Sequence, residues 1–520
     1  MASTRTRRRC SRRRTPVSVG KPRGVLHPRV QQVGPEHFGI VCFDCHKARS
    51  KFLLADFYGR QLIPPTVVTH NRPDLDSAIA QIRQAFEQHQ VRDGVVAIER
   101  TGRYHRLVQR AFAAAGFETR ILHPFVTKQY RQPVDPGNKT DDADLAAIHR
   151  ATVTGCALLE ATRDEAWTTL QLLIRHRRDL VRKGAALNCQ IRDHLEAAVP
   201  GYAACFDELW ESPLPWHLLR HYATARQLHA AGLTTLCHCL RQAGIRFQQR
   251  TLQKVLGWAE QAAPGDVAAD QHLRIALALY DDRQRKTQEI HALERDIAGR
   301  LVQTPYVLLL SFPGINVVSA ADFAGEMGPM EHYANPKCIT GRAGLRPSRY
   351  QSDQVDKANG PLVRNANRAL RATILGIADN LILCNHHFQH LAIQWAHQGK
   401  DPRDIRVRVG LRLCRIAFQM VAGRQVFRHP CIQGRHYIVD KLSAFHREHD
   451  TPIAELLRDL QAASGQVPQR EHAAEARPLH EELRRIQEGR RRGPQPLADI
   501  LPIVLARLGV GVVQSEESGE

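Results

Sequence analysis

Over the first third of the chain, apolar and polar positions switch between two periods. Phe38 to Cys45 (FGIVCFDC) is a short apolar run closing beside an acid, and Lys51 to Tyr58 (KFLLADFY) is a second strand. Gln61 to Val68 makes a third, irregular or at an edge because it carries Pro64 and Pro65. Leu75, Ile79, Ile82 and Phe86 then recur at helical spacing, and Asp93 to Glu99 (DGVVAIE) is a buried type of strand, again ending on an acid. A helix from about Tyr104 to Ala115 stops at Gly116, strand Thr119 to Leu122 leads to Pro124, and a further helix begins near Lys139.

Three strands, helix, strand, helix, strand, helix is the order of an RNase H-like domain, expected over residues 36–158. Beyond it, Arg163 to about Leu195 reads as one long helix, with Leu170, Leu173, Leu180, Leu187 and Ile191 on a stripe and many arginines opposite. Ile290, Leu293, Ile297 and Leu301 mark a second long helix. Such stripes fit a coiled-coil-like spacer or dimerisation element over residues 159–303, and equally a monomeric bundle; the assembly role is the favoured reading. Residues 304–430 form a mainly helical domain. Its opening, Leu308 to Asn316 and then Val317 to Ala321, resembles a helix-hairpin-helix whose Pro-Gly-Ile turn, with Gly314, offers N–H groups to a phosphate, although a plain helical hairpin gives the same pattern. Residues 431–520 read as a mixed helical and disordered tail. The fold class is α/β plus α.

Charge narrows the function classes. The chain of 520 residues has 73 Lys+Arg against 52 Asp+Glu, a formal charge of +21, which calls for a polyanionic partner. Ten of the basic residues lie between Arg5 and Arg29, and the first acid is Glu36, so residues 1–35 read as a basic disordered arm. Mean hydropathy is −0.37 and no apolar run reaches spanning length, so no membrane partner is expected. The Arg-rich start lacks a secretory pattern, so a cytoplasmic, nucleoid-associated location is expected. Twelve scattered cysteines are read as reduced thiols. Two local patterns have the look of chelates, Cys42-Phe-Asp-Cys45 and Cys237-His-Cys239. The first sits on a strand, where residues three apart face opposite sides, and zinc is the minor reading.

The acids carry the chemistry. Asp44 and Glu99 end two strands that lie side by side in an RNase H-like sheet, and Asp141 and Asp144 share one face at the start of a helix. Four carboxylates in one place repel one another without a cation, and Mg²⁺, or Mn²⁺, is the hard ion that leaves room for water and phosphate oxygens. Taken singly, Asp44 is as easily a turn cap, and Asp141 a helix N-terminal acid facing the dipole. Lys139 and Thr140 set a cation and a hydroxyl beside the same helix start.

At these residues the chain resembles the DEDD transposases of the insertion-sequence family numbered one hundred and ten. The stretch from Phe43 to Lys47 matches their first block, with Asp44 as the acid; Glu99, Thr101, Gly102 and Tyr104 match the second; Lys139, Thr140, Asp141 and Asp144 match the third. Phe312 to Ile315, Ala343 to Pro347 and Gln351-Ser352 match the family's C-terminal transposase domain. The resemblance implies a RuvC-like first domain and catalysis by Asp44, Glu99, Asp141, Asp144 and the nucleophile Ser352. It implies double-stranded DNA partners, at the element ends and the target, and a structured guide RNA. Nucleic-acid contacts are expected at Lys47, Thr101, Tyr104, Lys139, Thr140, Gly314, Arg346, Arg364, Asn367 and Arg368. Two positions depart from the family: Asp353 stands where Gly usually follows the serine, and Ala366 where Gly precedes Asn367.

The expected function is therefore that of an insertion-sequence transposase or recombinase, acting as a homo-oligomer, a dimer or tetramer, with the two domains meeting at a composite site. Two alternatives stand beside it. One is a RuvC-like metal-dependent nuclease, such as a junction resolvase, that uses water and leaves Ser352 idle. The other is a catalytically inactive nucleic-acid-binding derivative, for which Asp353 and Ala366 are the motive.

Overall fold

The computed structural model describes residues 24–133, 137, 139–160, 164–352, 355–357, 360–427 and 438–466. The Arg-rich arm as far as Arg23, Asp353 and the tail beyond residue 466 lie outside the described residues. The chain divides into two compact units, residues 1–162 and 163–520.

The first unit is a mixed α/β domain. After α1 (His27–Val33) come β1 (Phe38–Cys45), β2 (Arg49–Ala55), β3 (Gln61–Thr69), α2 (Arg72–Gln88), β4 (Asp93–Glu99), α3 (His105–Ala114), β5 (Thr119–Leu122), α4 (Pro124–Arg131), α5 (Asp141–Val153) and β6 (Leu158–Leu159). The sheet order is β3-β2-β1-β4-β5-β6, with β1 parallel to β4, β4 parallel to β5, and β2, β3 and β6 antiparallel to their neighbours. Strand alternation sorts the side chains into two cores. Val41, Phe43, Cys45, Val96 and Ile98 pack with α2 and α3 on one face. Phe38, Ile40, Cys42, Val95 and Ala97 pack with Val30 of α1 and with Leu145 and Ile148 of α5 on the other.

Three local features depart from expectation. The end of the basic arm is folded: Val30 is buried and Arg29 pairs with Asp93 and Glu118, partners 64 and 89 residues away that no local pattern reveals. Helix α4 was not anticipated; Pro124 starts it and the His123 side chain caps it by accepting from the Phe125 N–H. In the second unit, the apolar stretch before the Pro-Gly-Ile turn is a 3-10 helix, Pro305–Ser311, rather than an α-helix. Pro305 opens it and every residue from Tyr306 to Ser311 is buried, so packing on all sides sets its path.

The second unit is mostly helical. It comprises α6 (Glu165–Ala198), α7 (Leu214–His221), α8 (Ala225–Gln242), α9 (Gln249–Gln261), α10 (Ala269–Leu301), α11 (Val317–Met327), α12 (Pro336–Ala343), β7 (Tyr350–Ser352), β8 (Val355–Lys357), α13 (Arg368–Cys384), α14 (His386–His397), α15 (Pro402–Ala422), α16 (Ile438–Glu448) and α17 (Ile453–Gln466). The long helices α6 and α10 pack together within the chain and serve two separate cores. At one end Leu187, Ile191 and Leu195 of α6 and Leu273 and Tyr280 of α10 bury with Trp216, Leu236, Leu240 and Leu252. At the other, Leu170, Ile174, Ile297 and Leu301 join the core of α11, α13, α15, α16 and α17. Some arginines opposite that stripe bind buried acids: Arg175, itself half exposed, and Arg178 hold Glu326 of α11, and Arg177 holds Glu294 of α10.

Candidate functional site

Strand register assembles the acids of the first unit. The parallel ladder pairs Phe43 with Ile98, so Asp44 and Glu99, one residue farther on each strand, come level at the same sheet end. They share the parity of the core face covered by α5. That helix starts beside them: Thr140 is its N-cap, the hydroxyl accepting from the Ala143 N–H at 3.2 Å, and Asp141, Asp142 and Asp144 fill the first turn. Asp44 is 6% exposed and Asp144 5%, while Glu99 is half-buried and Asp141 exposed. The site therefore has a buried floor and an open rim.

Burial pushes the Asp44 carboxyl up to about 6, with the negative charges of Glu99, Asp144 and Asp141 adding to the rise and His46 opposing it. The other three acids thus each act electrostatically on Asp44. Among the described residues, three basic side chains contact these acids. His46 Nε2 lies 3.4 Å from Asp44 and 3.5 Å from Asp141, Arg131 of α4 donates to Asp144, and Lys51 sits 2.6 Å from Asp142. One ligand atom each from Asp44, His46 and Asp141 fits within 4.8 Å of the others, a separation that one ion can span. The fit to a divalent cation is good: hard oxygen donors, mutual repulsion that a cation relieves, and an accessible rim.

Of the residues expected at this site, Lys47, Tyr104, Lys139 and Thr140 are exposed and Thr101 is half-buried. Gly102 takes a φ of +53° in the turn between Glu99 and α3, the left-handed region a side chain rarely adopts. His46 and Arg131 are the participants that sequence reasoning passed over. For His46 a signal existed, because a residue two beyond Asp44 on an extended chain returns to the same side. For Arg131 none did, since its helix was unforeseen.

Ser352, in the second unit, is exposed and ends β7, where it pairs with Val355 of β8. The hairpin is rooted by a bridge between Pro347 and Leu362 and by Ser348, whose N–H donates to Pro361 O at 2.8 Å and whose carbonyl accepts from Gly360 at 3.0 Å. Arg346, Arg364 and Arg368 are exposed around this root. Asn367 instead caps α13 by accepting from the Leu370 N–H, and its Nδ2 donates to Glu326 at 3.0 Å. Gly344 has a φ of +63°, and a Cβ there would lie 2.5 Å from the Cβ of Ala366, so Ala366 packs over a position that only glycine fits. Gly314 is half-buried against Leu381 in a turn that bonds internally. The Ile315 N–H donates to Phe312 O, the Asn316 N–H to Ser319 Oγ, and Lys441 Nζ donates to Phe312 O and Ile315 O at 2.8 and 2.7 Å.

Cys42 and Cys45 fall into the two different cores on either face of the sheet, as their spacing requires. Among the described residues no helix is long and apolar enough to cross a membrane.

Comparison with known proteins finds family matches over two stretches of the chain. Residues 41–200 match a DEDD family model described as transposase, and residues 306–392 match one described as transposase of the IS116/IS110/IS902 family. A 44.8 kDa protein of insertion element IS116 from Streptomyces clavuligerus, itself uncharacterized, is 24% identical over 319 residues, covering 59% of this chain and 75% of that protein.

Proposed function

The chain belongs to the IS110/IS116 family of transposases, and from that premise we propose that it cleaves and rejoins DNA strands with the four acids of its first unit and Ser352 of its second. A transposase is an enzyme of DNA transposition, and DNA is its partner. The observation that carries the finer reading is Asp44, a buried acid raised to about 6 by burial and by three neighbouring acids. A fold keeps such a group where its charge is useful. The strand order and the parallel pairing of β1 with β4 support an RNase H-like reading of the first unit.

Mg²⁺, or Mn²⁺ in its place, held by Asp44, Glu99, Asp141 and Asp144, would neutralise the phosphate and ease ionisation of the attacking hydroxyl. The protein supplies the rest. Arg131 fixes Asp144, and the cap at Thr140 fixes the helix that presents Asp141. Lys47 and Lys139, both exposed at the rim, attract the DNA backbone. Ser352 Oγ gives up its proton and forms a bond to phosphorus, while the bond to one DNA oxygen breaks and that oxygen leaves as a hydroxyl. Attack by a second DNA hydroxyl reverses the chemistry and restores the serine. The charge of +21 supports a further polyanionic partner, which we take to be a structured guide RNA, and we take the active form to be a dimer or tetramer.

The decisive experiment incubates full-length protein with its element's flanking noncoding RNA, element-end DNA and Mg²⁺, and compares Ser352→Ala with Asp44→Asn. Both variants are expected to lose strand cleavage about 100-fold or more, the scale of losing one group that stabilises transition-state charge. Only the unaltered chain leaves a denaturant-resistant protein–DNA adduct. Cleavage that survives Ser352→Ala but not Asp44→Asn makes the chain a water-using nuclease. No metal-dependent cleavage by the unaltered chain makes it a binding derivative.

A further inference from the structure

The second unit holds a constellation that DNA chemistry does not use. His217 and His221, one turn apart on α7, have ring centroids 4.2 Å apart, and Cys239 reaches them from α8. Cys239 Sγ lies 3.4 Å from His217 Nε2, and one ligand atom from each of the three residues fits within 4.8 Å of the others. We propose that His217, His221 and Cys239 bind a zinc ion that ties α7 to α8, with water as the fourth ligand.

The geometry agrees with a tetrahedral ion. Zinc bonds of about 2.3 Å to sulfur and about 2.0 Å to nitrogen, at the tetrahedral angle, separate the two donor atoms by about 3.5 Å. A thiol–imidazole hydrogen bond would account for the Cys239–His217 distance alone, but not for the third donor. His221 Nδ1 is 2.9 Å from the His217 carbonyl, one turn earlier on the helix, a contact that orients the ring and turns Nε2 away from the backbone. Ligating histidines are typically held in this way through their other nitrogen. The backbones are rigidly based, since Trp216, Leu218, Leu236 and Leu240 on the same two helices are buried. His221 is exposed, so the fourth position is open to water.

The donor set also separates this site from the acids of the first unit. Two imidazoles and a thiolate select zinc, whereas carboxylates select magnesium or manganese. Cys237, which the sequence pairs with Cys239 in a Cys-His-Cys pattern, packs instead against the apolar cluster of α7, α8 and α9. The partners of Cys239 are therefore His217 and His221, with the Tyr222 hydroxyl also bonded to its sulfur, all some twenty residues upstream, and a reading confined to neighbours in sequence cannot find them.

The test is elemental analysis of the purified, desalted full-length chain, together with cobalt titration. About one zinc per chain is expected, retained in Asp44→Asn and lowered about 10-fold or more in His217→Ala and Cys239→Ser. Cobalt added to the zinc-free chain is expected to give a thiolate-to-metal absorption band, absent in Cys239→Ser. Should the alanine variant fail to fold, as circular dichroism would reveal, the band in the unaltered chain decides the matter. A chain that purifies without zinc and gives no thiolate band overturns the proposal, as does zinc retained by both variants.

Discussion

Glu326 and Asp44 are both buried carboxylates, at 0% and 6% exposure, and the chain treats them in opposite ways. Burial alone would raise the pKa of Glu326, yet hydrogen bonds from Arg175 and Asn367 and the charges of Arg175 and Arg178 hold it below the ordinary 4.5. Arg175 grips it with two bonds of 3.0 and 2.9 Å, and Arg178 adds a third at 3.2 Å. Asp44 has one partly exposed histidine at 3.4 Å and three acids as neighbours. The first cluster is complete, a joint that locks α6 to α11 and α13. The second gathers four acids against Arg131 and His46, an excess of negative charge that a cation would relieve. An acid surrounded by arginines marks architecture; an acid surrounded by acids marks a place for a cation.

The contrast breaks if the two carboxylates respond alike to neutralisation. Glu326→Gln leaves Arg175 and Arg178 without their counter-charge and should destabilise the chain by about 3 kcal/mol. That is the low end for breaking a buried pair, because Arg175 is half exposed and screened by solvent. Since the Glu326 pKa is depressed, its contribution is present above pH 4.5 and is lost as pH falls through the depressed value. Denaturant titration at pH 7 and pH 4 measures both statements; an unchanged midpoint at pH 7 would show the joint to be ornamental.

Asp44→Asn should act in the other direction. With a folded pKa near 6 against an ordinary 3.8, the ionised carboxylate works against the fold as pH rises through that interval. In metal-free buffer at pH 7 the variant should gain on the order of 2 kcal/mol, the shift discounted for the open rim. Added Mg²⁺ should stabilise the unaltered chain and leave the variant nearly unmoved. Thermal unfolding with and without Mg²⁺ reads this out, and loss of stability in the metal-free variant would contradict it.

How far the sequence foretold this contrast depends on which signal is asked. Strand alternation and helix periodicity report faces, so the β1–β4 neighbourhood, the co-location of Asp44 with Glu99 and the divergence of Cys42 from Cys45 were all legible. Periodicity does not report partners. The pairing of Arg175 and Arg178 with Glu326 looks, in sequence, like the polar side of an amphipathic helix, because that acid lies some 150 residues away on α11. Arg29 with Asp93, and Arg131 with Asp144 from an unforeseen helix, escaped for the same reason. The Pro-Gly-Ile turn shows a further limit. Its residues fit a phosphate-binding hairpin, but the Ile315 and Asn316 N–H groups bond to Phe312 O and Ser319 Oγ within the unit, and Lys441, 129 residues from Phe312, bonds to the turn's carbonyls. Ser352 is the extreme case, a serine whose exposure on a hairpin is visible only in the fold and whose proposed role rests on the resemblance alone.

The smallest expected effect is the most discriminating. His46 Nε2 stands 3.4 Å from Asp44 and 3.5 Å from Asp141, between the acids that a cation would join. Being partly exposed, it should contribute little to stability, under about 0.5 kcal/mol. Its charge nevertheless opposes the rise in the Asp44 pKa, so His46→Ala should move that pKa higher. Metal binding needs the ionised acid, and Mn²⁺ affinity should therefore fall about tenfold per pH unit below the Asp44 pKa. In the variant the onset of that fall should move upward by less than about one pH unit. Calorimetric titration from pH 5 to pH 8 measures the displacement. If His46 only tempers the acids, affinity at pH 8 is unchanged. If affinity is lost at every pH, His46 is itself a ligand and the acids are not a sufficient site.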